Sequence, residues 1–415
     1  MELKRVVVTG FGAITPIGNN AGEYWESLVA GKSGAAPITL FDATNFKTRF
    51  ACEVKNFDPL NHFEKKEAKK MDRNTQLGMV AAREAVEHAR LLEGNIDKNR
   101  VGVIWGSGIG GLETFETEVL NFAASNGIPR FNPFFIPKMI ADITSGHISM
   151  EYGFHGPNYT TVSACASSAN ALIDARMLIQ LGKADVIVSG GSEAAVTVSG
   201  VGGFNALMAL STRNDDPQSA SRPFDKDRDG FVLGEGAGAI ILEEYEHAKR
   251  RGATIYAELK GGGLSADAYH MTAPHPEGLG AYLVMKNCLD DAGLSADAID
   301  HINMHGTSTP LGDIAESNAI SKLLGEHAFN IQINSTKSMT GHLLGAAGVI
   351  EAIACIGAIT HSIVPPTINH FTDDEKIDSR LNFTFNEAVK KNVDVAMSNT
   401  FGFGGHNACV LFSKI

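Results

Sequence analysis

Thr161-Val162-Ser163-Ala164-Cys165-Ala166-Ser167-Ser168-Ala169 runs from the end of a strand, through a tight turn of small residues, into the start of a helix. Small residues on both sides of the thiol let the backbone bend sharply and let another molecule come close. The helix that follows carries Leu172, Ile173, Met177 and Leu178, which anchor it in a core. A strand that feeds a helix through such a turn is a unit of α/β architecture. A cysteine at a helix start also feels the positive end of the helix dipole, which favours the thiolate.

The segments around this turn agree with an α/β fold. Val101 to Trp105 and Val186 to Val188 read as fully buried strands. Leu77, Val80, Ala81, Ala85, Ala89 and Leu92 recur at helical spacing and predict an amphipathic helix over 74–92. Ala408 to Phe412 reads as a final buried strand. Glycine is abundant, at 44 residues, and its clusters at 106–111, 190–191, 261–263 and 402–405 read as turns. The chain also starts twice. Residues 5–18 give a strand followed by a glycine-rich loop, and residues 254–265 give another. The charged stretch Glu246 to Gly252 is the seam, so the expected halves are 1–252, with Cys165, and 253–415.

Composition narrows the function classes. A chain of 415 residues is long enough for a large core or two domains. Its five cysteines form no CxxC pair, which argues against a zinc knuckle or a thioredoxin-like motif. They read as reduced thiols in a cytoplasmic setting. The first ten residues read as a short strand rather than a signal peptide. No run approaches the ~20 apolar residues expected of a membrane span. A formal net charge of −12 argues against non-specific nucleic-acid binding.

Cys165 has the context of a nucleophile, whereas Cys288 and Cys355 lie on apolar helical faces and read as small core hydrophobes. Two histidines lie far downstream. His305, in Met304-His305-Gly306-Thr307-Ser308-Thr309-Pro310, either faces a cleft at a strand end or is satisfied within its own turn. His342 follows Lys337-Ser338-Met339-Thr340-Gly341. The next segment, 343–356, is apolar almost all round and therefore buried, with Glu351 as the exception. A carboxylate there is costly unless paired. Lys337 is the nearest cation in sequence. Such a pair is either structural or sets the charge and orientation of the histidines, and both can hold. Finally, Phe401-Gly402-Phe403-Gly404-Gly405-His406 forms a loop that can present a backbone N–H to a developing oxyanion. A thiol with two histidines points to nucleophilic catalysis on an acyl group, not to metal or redox chemistry.

Together these segments resemble the β-ketoacyl-[acyl carrier protein] synthases of the thiolase-like superfamily, over essentially the whole chain. The likeness is closest to the type II elongating enzymes. Ala209 to Asp215, Ser221 to Gly238 and Val364 to Asn369 match further motifs. The resemblance implies a five-layered α-β-α-β-α fold of two similar halves, as a homodimer. It implies Cys165 as acyl acceptor, His305 and His342 as the histidine pair, and Lys337 and Glu351 as supporting charges. Backbone N–H groups of Cys165 and Phe403 would form the oxyanion hole. Thr307 and Thr309 would bind the phosphopantetheine arm. Ile109 matches the residue that gates chain entry to the acyl tunnel, and Phe401 and Phe403 would line the substrate site. Two departures stand out: His406 replaces the usual Thr after Gly-Phe-Gly-Gly, and Ala166 replaces the commoner Thr or Ser.

The activity so implied is decarboxylative condensation of an acyl-Cys165 thioester with malonyl-acyl carrier protein, in fatty-acid elongation. It needs no metal and no organic cofactor, because the phosphopantetheine belongs to the acyl- or malonyl-loaded carrier. The carrier is acidic, so docking needs a local basic patch. Lys65, Lys66, Lys69 and Lys70 form one, with Arg130, Lys138 and Arg213 as further candidates, although the lysine run also reads as a solvated helix face. The alternative is a ketosynthase of a specialised polyketide or aryl-polyene pathway. A non-catalytic chain-length partner would lack Cys165.

Overall fold

The computed structural model describes residues 3–415. Ten strands make its main sheet. In chain order they are β1 (Val6–Ile14), β2 (Val101–Gly106), β3 (Asn158–Thr161), β4 (Val186–Glu193), β5 (Gly236–Glu244), β6 (Ala257–Ala266), β7 (His301–Asn303), β8 (Gln332–Asn334), β9 (Val395–Gly402) and β10 (His406–Ser413). The order across the sheet is β8-β7-β9-β10-β6-β1-β5-β4-β2-β3. Read outward from the centre, it divides into a first and a second sheet of five strands, each repeating one pattern: first, fifth, fourth, second, third. The two sets join only where Val7 and Val8 of β1 pair antiparallel with Glu258 and Ala257 of β6. In both sets the first strand pairs antiparallel with the fifth, and the second and third are parallel.

Helices complete five layers. Helix α1 (Arg73–His88) covers the outer face of the first sheet. Helices α2 (Ser167–Gln180) and α5 (Ala347–His361) lie between the sheets. Helices α3 (Leu279–Ala292) and α4 (Pro310–Leu324) cover the second sheet. Three apolar clusters fill the spaces between layers, and the central one is built largely from α2 and α5. This is the thiolase-like arrangement of mixed sheet and helices. The segment Leu344–His361 is long and apolar enough to cross a membrane by length and composition, but it is the central core helix and 89% of it is buried.

Local outcomes differ from the sequence reading in instructive ways. The first long helix ends at His88, four residues early, because Arg90 takes a left-handed φ of +48° and turns the chain out. The second start begins at Ala257. Glycines 261–263 do not form a loop; they lie inside β6, and glycines 190–191 lie inside β4. The physical reason is close packing. A Cβ on Gly263 would sit 2.1 Å from the Val284 carbonyl oxygen and 2.7 Å from the Cys288 nitrogen of α3. The bare strand lets α3 seat directly on the sheet. Gly263→Ala is therefore expected to cost about 1–3 kcal/mol, the overpacking range, read as a lower urea midpoint. An unchanged midpoint would mean that α3 is not seated so closely.

Candidate active site

The turn that carries Cys165 connects β3 to α2. The helix begins at Ser167, two residues after Cys165, and the turn is held by its own side chains. Thr161 Oγ1 donates to the Ser167 carbonyl (2.7 Å). Ser167 Oγ donates to the Ala164 carbonyl (2.7 Å) and accepts the Ser163 N–H (3.0 Å). Ala164 is forced to a φ of +51°, a left-handed conformation that costs energy in a residue with a Cβ. Glycines on the adjoining strands make room. A Cβ on Gly106 would lie 2.4 Å from the Ser168 nitrogen, and one on Gly191 2.6 Å from Ser168 Cβ. The result is a bend that lifts Cys165 into a cavity, with its side chain 8% exposed.

His342 Nε2 lies 3.0 Å from Cys165 Sγ. An extended segment fixes the histidine backbone: its N–H donates to the Val232 carbonyl (2.7 Å), and its carbonyl accepts the Gly234 N–H (2.9 Å). His305 follows β7. Glu316 of α4 accepts the His305 N–H at 2.9 Å and the Gly306 N–H at 3.0 Å. The two imidazoles are 5.2 Å apart, nearly perpendicular. So His305 is not satisfied within its own turn; it faces the cleft with His342. Burial, with the Lys337 charge adding to it, holds both imidazoles well below their usual range. Each is neutral near pH 7, so each can offer one N–H and one acceptor nitrogen.

Lys337 Nζ donates to Glu351 Oε1 behind the histidines, with both side chains 1% exposed. The lone carboxylate of the apolar helix has the partner expected for it. Burial still pushes Glu351 up, to about 7, while Lys337 pulls against that. Removing one charge would strand the other. We expect Lys337→Ala to destabilise the protein by about 3–5 kcal/mol. A joint Lys337→Met, Glu351→Leu exchange should recover most of that stability. Denaturant midpoints test this, and equal losses in the single and double variants would refute it.

Burial also pushes the Cys165 thiol up to about 12, against the pull of Lys337 and of the backbone N–H groups of Phe403 and Cys165 itself. Desolvation therefore outweighs the stabilisation expected from the helix start. The resting state is a thiol beside a neutral imidazole, and the thiol proton has His342 to go to. Phe403 lies in the hairpin joining β9 to β10 and lines the same cavity as Cys165. That hairpin presses on the Cys165 turn, since a Cβ on Gly402 would lie 2.6 Å from the Ser163 carbonyl oxygen. Gly404 and Gly405 take φ values of +90° and +73°. Gly404 N–H donates to the Met271 carbonyl (2.7 Å), and Gly405 carbonyl accepts the Asp267 N–H (3.0 Å). His406 is exposed and its ring covers Gly404, so the departure at this position faces outward. Ala166 is fully buried.

A cavity of about 620 Å³ gathers these groups. Cys165, His305, His342, Phe401 and Phe403 line it, and so do Thr307, Thr309 and Ile109. The Thr307 and Thr309 hydroxyls are 3.0 Å apart. Lys337 and Glu351 lie outside the lining. The basic candidates are also elsewhere. Lys65, Lys66, Lys69 and Arg130 are exposed; Lys70 pairs with Glu67, and Arg213 is partly buried and donates to the Asp227 carbonyl. Sequence reasoning missed Glu193, Glu316 and the 267–272 segment. A lone acid ending the strand that contains Gly190-Gly191 was the signal available for Glu193.

Known proteins share this framework. The model of the β-ketoacyl synthase N-terminal domain matches residues 3–248, and that of the C-terminal domain matches 256–371. The 3-oxoacyl-[acyl-carrier-protein] synthase 2 of Synechocystis sp. is 49% identical over 414 residues, covering 100% of this chain and 99% of that protein. The protein of the same name from Coxiella burnetii is 48% identical over 417 residues, covering 100% of both. Among solved structures, a type II PKS acyl-carrier protein in complex with its ketosynthase bound to the hexaketide superposes with a TM-score of 0.91 at 34% identity, covering 100% of both chains. Agreement of this kind runs through both halves and leaves no segment of the site outside it: the chain belongs to the β-ketoacyl synthase family.

Proposed function

We propose that this chain elongates fatty acids by condensing an acyl-Cys165 thioester with malonyl-acyl carrier protein. The observation that carries the reading is the Cys165 thiol 3.0 Å from neutral His342, with His305 facing the same cavity. In the first half-reaction the thiol proton passes to His342 as sulfur attacks the acyl-carrier thioester. The carrier thiol leaves with that proton, and an acyl-enzyme remains. In the second, malonyl-carrier loses CO2. The electron pair moves onto the thioester oxygen, where the N–H of His305 and that of His342, in its Nε2–H tautomer once the sulfur is acylated, hold the enolate. Its carbon attacks the acyl-Cys165 carbonyl, and the oxyanion rests on the backbone N–H groups of Cys165 and Phe403. Collapse expels the Cys165 thiolate and releases β-ketoacyl-carrier. No metal or organic cofactor enters these steps. Thr307 and Thr309 bind the phosphopantetheine arm, and Ile109 and Phe401 line the acyl path. The higher identity to the 3-oxoacyl synthases than to the PKS ketosynthase favours elongation over the specialised pathway.

The acidic carrier docks on the basic residues Lys65, Lys66 and Lys69, with Arg130. Lys70 and Arg213 are already engaged and contribute less. The protein works as a homodimer in the cytoplasm. The unpaired outer edge of β3 and exposed Leu120, Ile128, Phe131, Phe134 and Ile136 support the dimer. Five free, buried cysteines suit a reducing compartment. The halves divide at 252/253, a boundary supported by the repeated strand order. Intact mass after mixing with medium- and long-chain acyl-carriers tests the function. An adduct mapped to Cys165 that disappears on adding malonyl-carrier, with β-ketoacyl product, is expected. No adduct with any chain would overturn the reading.

A further inference from the structure

Glu193 ends β4, is 0% exposed and lines the cavity that holds Cys165. It forms no ion pair among the described residues. Its partners are instead three backbone N–H groups and one hydroxyl from two separate segments. Oε2 accepts Gly108 N–H at 2.8 Å and Gly345 N–H at 3.0 Å; Oε1 accepts Ile109 N–H at 3.2 Å and the Ser107 hydroxyl at 3.4 Å. Ser107 Oγ in turn accepts Gly110 N–H at 3.1 Å, so that contact too is tied to the carboxylate. A Cβ on Gly108 or Gly345 would lie 2.7 Å from Oε2, and one on Gly345 would lie 2.4 Å from the Gly108 nitrogen. The two backbones close on each other around the carboxylate, and glycine is what permits it.

We propose that Glu193 is a positioning residue whose carboxylate clamps the Gly108–Ile109 wall of the cavity to the segment following His342, and so sets how long an acyl chain the cavity accepts. The proposal rests on Cys165 as the acyl acceptor. A chain carried there extends into a cavity whose wall includes Ile109, 41% exposed and with its own N–H fixed by Glu193. Short chains need little of that wall; long chains must pass it. The carboxylate form is required, because every group facing it is a donor. Burial raises Glu193 to about 7, and the backbone N–H groups pull it down. An amide in its place offers one acceptor and turns an NH2 toward other N–H groups, so one backbone has to move.

The test is the rate of Cys165 acylation by tetradecanoyl- and hexanoyl-carrier, followed by intact mass, in wild type, Glu193→Gln and Gly108→Ala. The second variant attacks the same contact from the loop side and serves if the first does not fold. The ratio of tetradecanoyl to hexanoyl rate is expected to fall by ~10-fold or more in both, since small misplacements near a reacting group cost on this scale. A structural role alone would lower both rates together. Equal losses for the two chains, or a ratio within about twofold of wild type, overturn the clamp. If the wild type forms no adduct with either chain, it is the reading of Cys165 that fails.

Discussion

Cys165→Ala is expected to fold as the wild type and to carry no acyl group, with condensation lowered by ~10⁴-fold or more. The thiol is buried at the end of a turn whose own hydrogen bonds run through Thr161, Ser163, Ala164 and Ser167, none through the sulfur. Removing it leaves that turn intact, and the strain at Ala164 stays borne by the same contacts. What disappears is the atom proposed to attack. No other cysteine substitutes for it, since Cys52, Cys288, Cys355 and Cys409 are all buried away from the cavity lining. Intact mass with acyl-carrier, beside a melting curve, separates lost chemistry from lost fold. Condensation at the wild-type rate would remove Cys165 from its role and the functional reading with it.

The same turn explains why so much was legible in the sequence. Small residues around one thiol encode a bend, and the apolar helix after it encodes burial. Glu351 was conspicuous because a charge in a helix apolar all round must find a partner, and Lys337 supplies it. Glycine runs were harder, because one property serves two ends. A missing side chain permits a turn at Gly404 and Gly405, but permits a helix to press on a strand at Gly261 to Gly263. The helix-dipole argument for a thiolate omitted burial, which acts on the same atom with the opposite sign. Glu193 and Glu316 left almost no trace. Most of their partners are backbone N–H groups, which every residue but proline possesses, and for Glu193 one of them lies 85 positions away. A pattern of side chains cannot display a bond that no side chain on the other end defines.

The histidine pair gives the second large effect, and the two rings should separate. His342→Ala is expected to acylate Cys165 still, but more slowly, because the thiol then has no imidazole 3.0 Å from its sulfur to take its proton. Its loss in malonyl-carrier decarboxylation should be larger, ~10²–10³-fold, the scale for removing one donor from a developing oxyanion. His305 makes no hydrogen bond to the sulfur and faces His342 across 5.2 Å. His305→Ala should therefore leave acylation nearer the wild-type rate while lowering decarboxylation on the same scale. Single-turnover acylation followed by intact mass, and CO2 release from malonyl-carrier, measure the two half-reactions apart. Normal decarboxylation in His342→Ala would take His342 out of enolate stabilisation. Because both rings stay neutral near pH 7, each is an N–H donor without a positive charge. The stabilisation then comes from two aimed dipoles in a buried cavity, and the cation behind them, Lys337, is kept paired with Glu351. Losing either ring removes half of that donor set, and the remaining ring cannot occupy both positions.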